Sequence, residues 1–181
     1  MGEKGVKSVM FAGEGEPLLH KDICLFVQKA KEYGLDVSIT TNGVLFDKEK
    51  AENCLPHLSW IRFSIDAGTQ ENYEKIHRGG KKDFKKVIEN IKNAVEVKKT
   101  KNLKVTIGVQ FLLIPQNVDE AVTLARICKE IEADNIQIKP YSQHPCSINK
   151  FIIKYRDYAH LEQELEKINS NNFKVLFRKK T

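Results

Sequence analysis

Val6-Lys7-Ser8-Val9-Met10-Phe11-Ala12, continuing into Gly13-Glu14-Gly15-Glu16-Pro17-Leu18, decides how this chain folds. The first seven residues make an apolar run of strand length. Two glycines separated by glutamates follow, and helical periodicity starts directly after Pro17. Gly15 has no side chain, so a ligand can approach the backbone closely there. Pro17 presets a first helical turn at a position that needs no backbone N–H. Glu16 therefore falls at the carboxyl end of a strand, where α/β proteins usually build their sites. A carboxylate in that place suits a cationic group such as an amine. The plainer reading, a tight turn carrying solvated glutamates, stays open on this stretch alone.

Working outward, further strand-like runs occur at residues 36–41, 60–65, 104–113, 135–139 and 173–177, with helix-like runs between all of them. This βαβα alternation predicts a parallel sheet with right-handed crossovers. Punctuation supports the boundaries: Gly34 suits the C′ position of the first helix, Thr69 suits an N-cap with Glu71 behind it, and Asn117 with Glu120 has capping-box spacing. Four strands alternate apolar and polar residues. Ser38, Thr40 and Asn42 oppose Val37, Ile39 and Thr41, and Arg62, Ser64 and Asp66 oppose Ile61, Phe63 and Ile65. Thr106, Gly108 and Gln110 continue the pattern, as do Gln137 and Lys139. Strands of an all-parallel sheet usually read apolar on both faces. The choice lies between a two-layer sheet with a solvated face and an open barrel whose polar interior holds a polar ligand. Helices between every pair of strands are compatible with both, and right-handed crossovers in a single rotational sense favour the barrel.

With 181 residues, 41% hydrophobic and 30% charged, the chain suits one globular domain, taken as 1–181. No apolar run reaches the 18 residues of a membrane span, so no membrane partner is expected. Residues 1–5 lack the apolar core of a secretion signal, and a cytoplasmic location is the expectation. The net charge of +6 comes largely from lysines between Lys81 and Lys104 and from Arg178-Lys179-Lys180. Phe84, Val87, Ile88, Ile91, Ala94 and Val95 recur at helical spacing beneath the first cluster, which makes those lysines a solvated outer face. No aromatics are interleaved as stacking platforms, so a nucleic-acid partner is not expected. Cys24, Cys54, Cys128 and Cys146 form no Cys-x-x-Cys pattern. Cys24 and Cys128 fall in amphipathic helices as small core residues, and all four are expected reduced. His144 and Cys146 are too few to hold a metal by themselves.

Taken together, these marks resemble the radical S-adenosylmethionine enzyme core, a partial (β/α) TIM-like barrel. The resemblance runs from Val6 to about Tyr141. It rests on Glu14-Gly15-Glu16-Pro17 after the first strand, Thr40-Thr41-Asn42-Gly43 after the second, Phe63-Ser64-Ile65-Asp66 on the third, and Tyr73-Glu74-Lys75-Ile76-His77-Arg78-Gly79-Gly80 behind it. It implies S-adenosylmethionine as cofactor, with Gly15 and Glu16 at the methionine amine and Asn42 and Ser64 at ribose hydroxyls or methionine polar atoms. Arg78 would clamp the methionine carboxylate. Gln110, Gln137 and Lys139 are weaker candidates on the adenine or substrate side. Glu14 stands where the family usually has a glycine.

The family also binds a 4Fe–4S cluster through a Cys-x-x-x-Cys-x-x-Cys loop after its first strand, and no such loop occurs in this sequence. The chain starts at what resembles the family's second strand. The expectation is a fragment whose parallel sheet is incomplete at its N-terminal edge, without metal ligands and inactive alone, from a parent that generates a radical at the cluster. Its substrate is not legible. An exposed edge at residues 6–12 is expected to self-associate. Two other readings stay beside this one. A (β/α) barrel lyase or aldolase would use Lys139 as a Schiff-base lysine, and a basic domain would bind nucleic acid through the Lys81–Lys104 face.

Overall fold

The computed structural model describes residues 5–13, 15–143, 145–148 and 150–179. Residues 1–4, Glu14, His144 and Lys180, which entered the sequence reading, lie outside the described residues. Among the described residues, six strands form one sheet in the order β1-β2-β3-β4-β5-β6. These are β1 (Ser8–Phe11), β2 (Asp36–Thr41), β3 (Trp60–Ser64), β4 (Thr106–Leu113), β5 (Asn135–Pro140) and β6 (Lys174–Phe177). Pairing is parallel, with Val9 beside Val37, Ile39 beside Ile61 and Ile136 beside Val175. Spatial order that follows chain order is what successive βαβ crossovers produce. The fold is α/β, of the partial (β/α) TIM-like barrel type. β1 and β6 each have one strand neighbour, so the sheet does not close.

The chain divides into two compact units, residues 1–64 with 86–108 and residues 65–85 with 109–181. In the first, α1 (Ile23–Glu32), α2 (Lys48–Cys54) and most of α4 (Asp83–Thr100) accompany β1 to β3. Val27, Val37, Ile39, Ala51, Ile61, Phe63, Val87, Ile91 and Ala94 are fully buried there. Removing each large aliphatic or aromatic side chain among them from water stabilises the unit by roughly 1.5–3 kcal/mol. Lys85, Lys86, Lys92 and Lys99 point outward, as the helical spacing predicted. In the second unit, α3 (Gln70–His77), α5 (Ala121–Glu130), α6 (Tyr155–Tyr158) and α7 (Leu161–Ile168) accompany β5 and β6. Its core includes Phe111, Leu113, Leu124, Cys128, Ile136, Ile138 and Leu165.

Two of the three end signals behave as read. Gly34 adopts φ +76 just past α1, and its N–H reaches Lys31 O at 2.9 Å. Thr69 caps α3 by accepting from Asn72 N at 3.3 Å. Asn117 and Glu120 do not form a capping box. Asn117 Oδ1 accepts from Ile114 N, and its Nδ2 donates to Asp66 O at 2.9 Å and Leu112 O at 2.8 Å. Glu120 accepts from Gly68 N at 2.7 Å and from the Thr69 hydroxyl. Both side chains hold the β3–α3 connection, because loop N–H and C=O groups buried there have no strand partner.

The cysteine expectation is also corrected: Cys24 and Cys54 form a disulfide joining α1 to α2, with Cα atoms 5.1 Å apart, inside the range such a bond requires. Spacing along the chain could not show that two helices 30 residues apart bring these residues together. Cys128 stays a buried thiol, as read.

Candidate functional site

The carboxyl ends of β1, β2 and β3, all in the first unit, surround a cavity of about 410 Å³. Gly13, Gly15, Glu16, Thr40, Thr41, Asn42 and Ser64 line it. Four of the five residues singled out from sequence, Gly15, Glu16, Asn42 and Ser64, are therefore in one place. Arg78 belongs to the second unit and is not among the lining residues. It ends α3 in the left-handed region at φ +54, with its N–H on Glu74 O at 3.0 Å and its side chain exposed. The Glu74 carboxylate accepts from Gln70 Nε2 at 2.7 Å.

Glu16 organises the cavity. Its Oε1 accepts from Leu18 N at 3.0 Å, which caps the 3-10 turn opened by Pro17 (Pro17–Leu19), and from Thr41 Oγ1 at 2.7 Å. Its Oε2 accepts from Asn42 N at 2.7 Å. Of about four lone-pair directions on a carboxylate, three are filled, and one on Oε2 is left. All three donors are neutral, and no cation pairs with Glu16 among the described residues. The negative charge is oriented by the protein without being neutralised by it. Gly13 and Gly15 stand at φ +138 and +131, with open space where a Cβ would be, so a ligand meets bare backbone on that side.

The turn after β2 is built as firmly. Thr41, 2% exposed, donates to Glu16 and accepts from Gly43 N at 2.9 Å. Asn42 Oδ1 accepts from Val44 N at 3.0 Å, an Asx turn that leaves the Nδ2 amide as the polar end for a ligand. Gly43 stands at φ +79, and a Cβ there would meet Phe63 Cδ1 at 2.7 Å. Asn90, buried within the apolar face of α4, donates to Gly43 O at 2.8 Å and Val44 O at 3.3 Å.

Thr40, Thr41 and Asn90 were not singled out from sequence as site residues. Thr41 alternates with the apolar side of β2, so its hydroxyl had to find a buried partner, and that was the available signal. For Asn90 the signal was an amide inside an otherwise apolar helical stripe.

The weaker candidates lie in the second unit. Gln137 is 6% exposed and accepts from Arg178, while Gln110 O accepts the backbone N–H of Ile65. Asp66 Oδ1 accepts from Leu112 N at 2.7 Å, and His77 Nε2 accepts from Asp66 N at 3.0 Å. Burial pushes the Asp66 carboxyl up to about 6 against the opposing pull of Leu112 N–H and Lys139. Burial also holds His77 below its ordinary value. No helix of the described residues is long and apolar enough to cross a membrane.

The family model of the radical SAM superfamily matches residues 1–128, the stretch that includes every strand end around the cavity. The chain belongs to the radical SAM superfamily. Relatives of this radical SAM chain include a probable GTP 3′,8-cyclase of Saccharolobus solfataricus, 32% identical over 178 residues, covering 97% of this chain and 54% of that protein. A second is a probable GTP 3′,8-cyclase of Methanocaldococcus jannaschii, 34% identical over 132 residues, covering 71% of this chain and 41% of that protein. The chain thus spans about half the length of the curated relatives it matches. Among solved structures, Streptococcus suis SuiB bound to S-adenosylmethionine superposes with a TM-score of 0.70 at 18% identity, covering 93% of this chain and 38% of that one. A domain of pyruvate-formate lyase-activating enzyme from Bacteroides vulgatus gives 0.71 at 15% identity, covering 93% and 98%. Both likenesses concern the fold.

Iron–sulfur ligation does not suit the residues present. Two of the four cysteines are bonded to each other, Cys128 is buried in α5, and no group of three metal-ligating side chains exists among the described residues.

Proposed function

We propose that this chain is the S-adenosylmethionine-binding part of a radical SAM enzyme, and that the cavity at the ends of β1 to β3 receives the cofactor. The observation that carries the reading is the state of Glu16: a carboxylate fixed by three neutral donors, without a cation, beside two glycines that expose backbone. The remaining Oε2 lone pair and the backbone of the glycine loop would hold the methionine ammonium. Asn42 Nδ2 and the Ser64 hydroxyl hydrogen-bond ribose hydroxyls or methionine polar atoms. The family resemblance assigns the methionine carboxylate to Arg78. When bound, the cofactor supplies a sulfonium that in this family is the source of a 5′-deoxyadenosyl radical. The residues of this chain bind and orient it. With no cluster ligands in the sequence, no cleavage step is assigned to them, and the chain alone is expected to be inactive.

Titration calorimetry of the full chain with S-adenosylmethionine tests the reading. Saturable binding is expected, weakened about tenfold in Glu16→Gln and in Arg78→Ala, the effect of losing one charge-assisted contact. S-adenosylhomocysteine, which keeps the amino-acid end and the ribose, should show the same ranking of variants. Absence of saturable binding, or equal affinity in wild type and both variants, would overturn it.

A further inference from the structure

Two sets of bonds join the same two segments of the first unit. At the cavity, Glu16 accepts from Thr41 Oγ1 at 2.7 Å and from Asn42 N at 2.7 Å. Farther along both segments, the Cys24–Cys54 disulfide ties α1, which follows the Glu16–Pro17 turn, to α2, which follows the turn after β2. The bonded residues are 30 apart in sequence, and the loop they close contains β2 and the turn after it. Thr40, Thr41 and Asn42, which line the cavity, therefore lie inside a covalent ring. A crosslink of this kind removes conformations in which the joined ends separate. It acts on local opening of the cavity as well as on global unfolding.

The two sulfurs differ in access. Cys54 is fully buried, whereas Cys24 is half-buried and precedes the exposed Leu25 and Phe26 on α1. Exchange with an external thiol goes through the sulfur that can be reached, and disulfides open to solvent are the labile ones. The reduced pair also fits the fold. A cysteine thiol behaves as a small apolar residue, and Val27, Ala51 and Leu55 stay buried in α1, α2 and the turn after it. Opening the bond therefore loosens the join without dismantling the unit.

We infer that the Cys24–Cys54 disulfide is a redox-sensitive clamp on the cavity at the ends of β1 to β3, opened by exchange with a dithiol. A thiolate of the dithiol attacks Cys24 Sγ, the bond between the two Sγ atoms breaks, and Cys54 leaves as a thiolate that takes up a proton. The second thiol of the dithiol then displaces Cys24 in the same way. Two electrons and two protons pass to the protein, and the dithiol departs as its own disulfide. With the bond closed, α1 and α2 keep Glu16 against Thr41 and Asn42. With it open, hydrogen bonds and packing do so alone. The clamp rests on the disulfide and the cavity geometry; only its effect on S-adenosylmethionine rests on the cofactor reading above.

The test compares the full chain, purified without reductant, before and after dithiothreitol. Alkylation after denaturation should count two thiols, Cys128 and Cys146, before treatment and all four cysteines after it. Reduction of the folded protein should lower its melting temperature by roughly 5–10 °C. The Leu18 and Asn42 amides, both donors to Glu16, should exchange hydrogen about tenfold faster once the bond is open. Cys24→Ser, a small change at a half-buried position, should match the reduced wild type with or without dithiothreitol. S-adenosylmethionine affinity should fall about three- to tenfold on reduction, and saturating cofactor should make the bond harder to reduce by the same factor. Four thiols before treatment, a bond that yields only after unfolding, unchanged exchange of the two amides, or a cofactor bound equally well in both states would overturn the clamp. No cofactor binding in either state, with thiol counts and amide exchange as expected, would overturn the cofactor reading and leave the clamp standing.

Discussion

Glu16 in the first unit and Asp66 in the second are both carboxylates at strand ends, and the chain treats them oppositely. Glu16 collects three N–H and O–H donors within 3.0 Å. Asp66 has one, Leu112 N. Donor number supports a negative charge and burial opposes it. Glu16 presents a carboxylate oxygen to the cavity, whereas burial pushes the Asp66 carboxyl toward neutrality and its own backbone is held in place. The neighbours agree. Around Glu16 the supporting groups come from two tight turns, Leu18 from its own and the successive Thr41 and Asn42 from the turn after β2. Around Asp66 they come from three separate segments: His77 on α3, Leu112 on β4 and Asn117 beyond it.

The largest expected effect falls on the turn of the first unit. Gly43→Ala places a Cβ 2.7 Å from Phe63 Cδ1 and 3.0 Å from Val87 Cγ1, in a left-handed conformation that L residues avoid. The combined steric and backbone cost is roughly 2–4 kcal/mol. Denaturant unfolding should show a midpoint shift of that size. A variant as stable as wild type would mean that the turn is not the rigid support of the cavity described above.

Next comes the second unit. For Asp66 the folded state binds its proton more tightly than the unfolded chain does, with a value near 6 against 3.8. Folded protein therefore holds more protons between pH 4 and 6, and the Asp66 contribution to stability declines as pH rises through that window. His77 acts in the opposite direction. Its depressed value means that stability is lost as pH falls below its ordinary 6.5. Asp66→Asn keeps an acceptor for Leu112 N and removes the charge. It should stabilise the protein at pH 7 by roughly 2 kcal/mol and leave only the His77 slope. Unfolding midpoints measured from pH 4 to 7 in both proteins check this; parallel curves would refute it.

The same contrast explains what the sequence made legible. Strand positions followed from local patterns, and β2 matches its expected span of residues 36–41. Gly15, Glu16, Asn42 and Ser64 were readable because each ends a strand or opens a turn with its own chemical signature. Contacts between distant segments were not. Asn117 and Glu120 had the spacing of a local cap, yet their side chains serve a loop some fifty residues earlier. Cys24 and Cys54 each looked like an isolated helix residue. Spacing reports what a side chain can reach along its own element, and it is silent about what the fold brings opposite.

Thr41 carries the smallest of these effects and the one that bears most directly on the cavity. Its hydroxyl sits between Glu16 Oε1 and Gly43 N, donating to one and accepting from the other. Thr41→Val keeps the shape and deletes both bonds, leaving a buried N–H unpaired at a cost of about 1–2 kcal/mol. Stability alone would not distinguish a packing role from a positioning one. Glu16 does: without Thr41 its Oε1 retains only Leu18 N, and the carboxylate is freer to turn away from the cavity. Thr41→Val should therefore weaken S-adenosylmethionine binding by about three- to tenfold, while Thr41→Ser, which keeps the hydroxyl, recovers the affinity. A Thr41→Val protein that loses stability yet binds the cofactor as wild type does would place Thr41 in the scaffold and leave Glu16 to be held by Asn42 and Leu18 alone.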